Sequence, residues 1–133
     1  VSFSGSMNKA RDATRPMARR ASSLRSAIER FQLFGFEGTI SALADATGAG
    51  DDGWSPAQLD VAIAMLDDAH HSWASFARAE LEAGRATKRS QPGAHRPSQR
   101  DQLALWKQLY FSAERADQWH LTSEMRQSLR REG

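Results

Sequence analysis

His70 and His71 follow Asp67 and Asp68 with only Ala69 between, and this quartet is the densest grouping of proton-carrying and metal-ligating side chains in the sequence. Neighbouring residues on a helix point about 100° apart, so the two imidazoles cannot grip one ion together. Of the positions at metal-site spacing from His70, Leu66, Trp73 and Ala74 are not ligands. Asp67 and Asp68 lie four and three positions before His71, which offers a surface acid–imidazole pair and no more. His120, beside Trp119, could join such a group only through the fold. The absence of cysteine excludes a thiolate nucleophile, a cysteine-based zinc site and an iron–sulfur cluster. There is no glycine-rich phosphate loop, no nucleophile elbow and no metal-spaced carboxylate–histidine set. The expectation is a chain with no catalytic residues, no metal and no cofactor. An enzyme with a nonstandard site is the third-ranked reading, and it would need a deep pocket bringing His70 or His120 against an Asp or Glu.

The charges are sorted into blocks. Residues 8–30 carry seven Lys/Arg against two Asp/Glu, and residues 37–83 carry one against nine. Residues 84–100 carry five cations and no acid, so the net charge of +2 hides a strong internal separation. Separation of this kind bears on partners and self-association. Arg15, Arg19 and Arg20 in the first block, with Arg85, Lys88, Arg89 and Arg96 in the later one, are the candidate contacts for phosphate or for an acidic partner. Asp60, Asp67, Asp68, Glu80 and Glu82 form the candidate acidic docking face. No aromatic residue is interleaved among the cations, so stacking on single-stranded bases is not indicated.

Two local resemblances bear on partners. Ile40–Gly48 (ISALADATG) resembles the first helix and turn of the helix-turn-helix DNA-binding family, which would make Pro56–Leu66 the reading helix. The turn is several residues longer than in that family. The reader would offer Gln58 and Asp60 but no Lys or Arg before Arg78, and an acidic face is repelled by phosphate. Asp51–Pro56 (DDGWSP) resembles the second half of an EF-hand loop, but Gly48 and Gly50 stand where upstream ligands belong and no bidentate Glu follows.

The elements that must position these residues are helical. Ala, Leu, Arg, Gln and Glu dominate, prolines number four, and β-branched residues are sparse, so the fold class is all-α. Three main helices are expected, at about 16–34, 56–83 and 99–120, with short ones near 39–47 and 123–131. The first carries Met17, Ala21, Leu24, Ile28 and Phe31 at spacings of four and three, with Gly35 as its stop. Ser55-Pro56-Ala57-Gln58 is a capping box with proline in the first turn, and the helix it opens runs to Gly84. Ser98 and Thr122 are further N-cap candidates. The apolar face of the 99–120 helix is wider than a coiled-coil stripe and reads as central to the core.

Residues 85–100 hold five cations and two prolines without apolar period, which reads as an exposed, flexible basic loop. Extended, sixteen residues reach up to about 54 Å, so the topology beyond it stays open. Val1–Ser6, ahead of Met7, resemble a vector scar and are expected to lie outside the single domain of residues 7–133. There is no apolar run of membrane-spanning length and no signal-peptide core, and with no cysteines a cytoplasmic setting is expected. The leading functional reading is a non-enzymatic interaction or adaptor module that self-associates, as a homo-oligomer or with a protein partner, through complementary charged and apolar helix faces. The alternative is a nucleic-acid-binding or regulatory protein using the basic N-terminal arm and the 85–100 loop.

Overall fold

Helix-favouring composition and clear caps give an all-α fold, described by a computed structural model for residues 2–50, 53–91, 93 and 98–131. The helices among these residues are α1 (Phe3–Arg11), α2 (Met17–Arg30), α3 (Gly35–Thr47), α4 (Pro56–Ser90), α5 (Gln99–Tyr110), α6 (Ala113–Gln118) and α7 (Ser123–Arg131). The caps read from sequence are in place. Ser55 Oγ accepts from the Gln58 amide at 3.2 Å, and the Gln58 side chain accepts from the Ser55 amide at 2.9 Å. Ser98 caps α5 by accepting from the Asp101 amide, and Thr122 caps α7 by accepting from the Met125 amide, both at 3.1 Å. Gly48 ends α3 with φ +77°, a conformation that only glycine adopts freely.

The layout departs from the expected three main helices in four places. Residues 3–6, expected outside the fold, open α1: Ser2 accepts from the Gly5 amide at 3.0 Å, and Phe3, Ser6 and Met7 are buried. The expected 16–34 helix stops at Arg30, because the chain straightens at Phe31 (φ −144°) and turns into α3. There the Thr39 hydroxyl accepts from the Phe34 amide at 3.0 Å, so α3 starts at Gly35, one turn before the expected 39–47 helix. The expected 99–120 helix divides after Tyr110, where Ser112 accepts from the Arg115 amide and caps the separate α6. Finally, α4 passes through Gly84 and ends at Ser90, so residues 85–90 of the expected loop are helix. A glycine inside a helix costs about 1 kcal/mol, too little to stop one flanked by strong helix formers.

α4 is the spine. Its Leu59, Ala62, Ile63, Leu66 and Ala69 are buried in the core. There they join Met7 and Ala10 of α1, Leu24, Ala27 and Ile28 of α2, Leu43 of α3 and Trp106 of α5. Each fully buried aliphatic side chain of this kind contributes about 1.5–3 kcal/mol. Aromatic rings extend the core along one side: Trp106 lies 5.7 Å from Trp73 and 4.9 Å from Tyr110, and Phe111 meets Trp119 edge-on at 5.6 Å. α5 runs antiparallel to α4. Trp106 Nε1 donates to Ser72 Oγ at 3.0 Å, and one turn on, the Tyr110 hydroxyl donates to Asp68 at 2.5 Å.

Candidate docking surface on α4

Asp60, Asp67, Asp68 and Glu82 fall within about 100° of one another around α4 and Glu80 on the opposite side, and the structure divides these acids into two groups with different surroundings. In the proximal half, each is engaged inside the chain. Asp60 accepts from Arg20 at 2.8 Å, Asp67 pairs with Arg11 at 3.0 Å, and Asp68 accepts from Tyr110. Arg20 is itself buried, its Nε donating to the Ala10 carbonyl at 2.8 Å and a terminal nitrogen meeting Met17 Sδ at 3.6 Å. Part of the N-terminal basic block therefore fastens α1 and α2 onto α4. Arg15 pairs at 3.5 Å with its neighbour Asp12, and Arg19 is exposed.

The distal half differs. Ala69 is the last fully buried residue of α4, and Trp73 and Phe76 are packed on the core edge. Each four-residue step back along α5 matches a four-residue step forward along α4, which brings Gln99 level with Ala79. Glu80–Ser90, eleven residues, then extend roughly 16 Å past the start of α5. On this projection Glu82, Arg85, Lys88 and Arg89 are exposed and Glu80 is half-buried. Among the described residues no ion pair reaches any of the five. Arg89 Nε donates to the Arg85 carbonyl of its own helix, at 3.4 Å. Arg100, at the start of α5, is exposed as well. Arg96 lies outside the described residues, as do His95 and the Asp51–Asp52 pair of the EF-hand-like turn.

The helix that the helix-turn-helix resemblance would make a reader has its side chains engaged within the chain. Gln58 is spent in the capping box, Asp60 is tied to Arg20, and Leu59, Ile63 and Leu66 are in the core. His70 lies flat on Phe3, ring centres 3.8 Å apart, with the edge of Phe31 at 5.1 Å. Burial lowers its pKa, against the opposing pull of Asp67. Among the described residues, no three His, Asp or Glu side chains gather where a metal ion could be held. No family model, no curated protein and no solved structure matches this chain. No helix of the described residues is long and apolar enough to cross a membrane.

Sequence reasoning did not find one further cluster. Tyr110, Asp68 and Arg115 meet at the edge of a groove of about 440 Å³ that is also lined by Val61, Met65 and Trp119. Arg115 lies over the Tyr110 ring at 4.1 Å and donates to the Tyr110 carbonyl at 2.8 Å. Burial first, and the Asp68 carboxylate second, push the Tyr110 phenol well above its ordinary range. Leu105 and Leu109 also break an expectation. They belong to the apolar face read as central, yet stand 47% and 64% exposed, because α5 turns Trp106 and Tyr110 to the core and leaves these two on its flank.

Proposed function

We propose that this chain is a non-enzymatic helical interaction module that docks, and self-associates, through the projecting distal half of α4, in a cytoplasmic setting. One observation carries the reading. The proximal acids of α4 find their cations within the chain, while Glu80, Glu82, Arg85, Lys88 and Arg89 stand on a helix end with no ion-pair partner among the described residues. Eleven residues of helix are marginal in water without packing, so such an end is suited to being completed by another surface. The test is light scattering of the full chain at low ionic strength, beside a variant carrying Arg85→Glu, Lys88→Glu and Arg89→Glu. The expected result is a mass above the monomer that falls with added salt and is lost in the variant. A strict monomer, or an association that the variant leaves unchanged, would overturn the reading.

A second reading is favoured by the placing of Arg100 at the start of α5, toward the same end as Arg85, Lys88 and Arg89. In that reading these cations contact the phosphates of a duplex nucleic acid. It requires binding that weakens steeply with salt and is lost when Lys88 and Arg89 become Ala.

A further inference from the structure

We propose that the occupant of the distal α4 surface is the same segment of a second copy, laid antiparallel across it about a two-fold axis close to Gly84. The inference rests on the docking role just proposed for this helix end and adds to it a partner and a geometry. It starts from the order of charge along the projection. Glu80 and Glu82 come first, Arg85, Lys88 and Arg89 follow, and no described residue pairs with any of them. Laid parallel and in register, two such segments set acid on acid and cation on cation, which is destabilising. Laid antiparallel, each acidic turn lies over the other copy's basic turns. Glu82 of one copy then falls between Arg85 and Arg89 of the other, and symmetry repeats the contact, as a two-fold interface requires.

The rest of the molecule restricts where this pairing can occur. The proximal acids are bonded to Arg20, Arg11 and Tyr110, so they cannot offer the same complement without breaking contacts within the chain. The projection extends roughly 16 Å past the start of α5, so along that length a second helix meets neither α5 nor the core beneath it. Ala79, Ala83 and Ala86 are exposed on this segment and place no long side chain in the way of close approach. Two helical segments of this length bury well under the roughly 1,000 Å² of a stable interface. Exposed ion pairs are also individually weak and screened by salt. The pair is therefore a weak, salt-sensitive dimer rather than a permanent one.

The absence of cysteine allows single thiols to report the geometry in the full chain. An axis near Gly84 sets position 79 of one copy opposite position 90 of the other, while the two copies of position 79 are held at opposite ends of the pair. Under mild oxidation at low ionic strength, a mixture of Ala79→Cys and Ser90→Cys chains is expected to form the mixed disulfide. Ala79→Cys alone is expected to remain uncrosslinked. In parallel, Glu82→Arg alone and Arg85→Glu with Arg89→Glu alone should each weaken association about tenfold or more, and mixing the two variants should restore it as a heterodimer. Dominant crosslinking of Ala79→Cys to itself would overturn the antiparallel arrangement. Undiminished association mass without the mixed disulfide would place the interface elsewhere and overturn it too, while leaving self-association standing. A strict monomer would overturn both the pairing and the docking role on which it rests. A monomer that binds duplex DNA through Lys88 and Arg89 would assign the surface to phosphate instead.

Discussion

Arg20 and Asp60 are bonded at 2.8 Å across forty positions of sequence, and the two ends of that bond sit in different surroundings: the Arg20 side chain is 5% exposed and that of Asp60 66%. Asp60 can return to water at little cost if its partner is removed. The guanidinium cannot, and the Ala10 carbonyl that it also serves would lose its buried donor. Asp60→Ala, which leaves the buried guanidinium without its carboxylate, is therefore expected to cost about 3 kcal/mol, and Arg20→Ala, which leaves only the Ala10 carbonyl unsatisfied, about 1–2 kcal/mol. Urea denaturation of the two variants checks both the magnitudes and their order.

Phe3→Ala is expected to cost about 3 kcal/mol in the same assay, since it removes a buried ring stacked on His70 and in edge contact with Phe31 at 5.9 Å. An unchanged urea midpoint would mean that α1 does not dock in solution.

The same stack makes stability pH-dependent. Burial holds the His70 pKa below its ordinary value of 6.5, so between that value and the lower folded one the unfolded chain binds more protons than the native chain. The groups facing the imidazole are Asp67 and His71 on its own helix and the rings of Phe3 and Phe31 on α1 and α2. Stability should fall as pH drops below about 6.5 and level off once the folded value is passed. His70→Phe should flatten that part of a urea-midpoint profile.

Tyr110 is the only tyrosine, so alkaline absorbance titration reads it alone. Its phenol is expected to remain protonated in the folded chain through its ordinary value of 10.0, with ionisation accompanied by loss of stability. Tyr110→Phe should cost about 1 kcal/mol through the lost bond to Asp68. A phenol that titrates at its ordinary value without loss of stability would show that the bond does not persist.

Ser55→Ala should cost about 1 kcal/mol, because it removes the acceptor side of a complete capping box on the longest helix. Circular dichroism followed through urea denaturation measures it.

What was legible in the sequence was local. Ser55, Ser98 and Thr122 announce helix starts because a short hydroxyl side chain can satisfy an amide three residues on, and Gly48 announces an end by its access to positive φ. α1 was not legible, since FSGSMNKAR offers little apolar period and its burial depends on helices distant in sequence. The extent of α4 is not legible from Gly84, where the flanking Ala83, Arg85, Ala86 and Lys88 favour helix enough to carry the chain through. At the candidate surface, the sequence showed opposite charges in quantity but not which of them meet. A sixteen-residue basic stretch leaves the register of α4 and α5 free, so the pairing of Tyr110 with Asp68 had no local signal. Nor could sequence show that the cations split, with Arg11 and Arg20 fastening the body while Arg85, Lys88 and Arg89 stay on the projection.

The passage of α4 from core to projection also sets a gradient of local stability within one continuous helix. Amides between Leu59 and Ala69 are sealed by the body and should exchange with solvent hydrogen only when the whole domain opens. Amides beyond Glu80 need only fraying from the distal end of the helix, so their protection should decay turn by turn toward Ser90. A protease that cleaves the distal turns would then shorten the helix and leave the folded body behind, joined through its core.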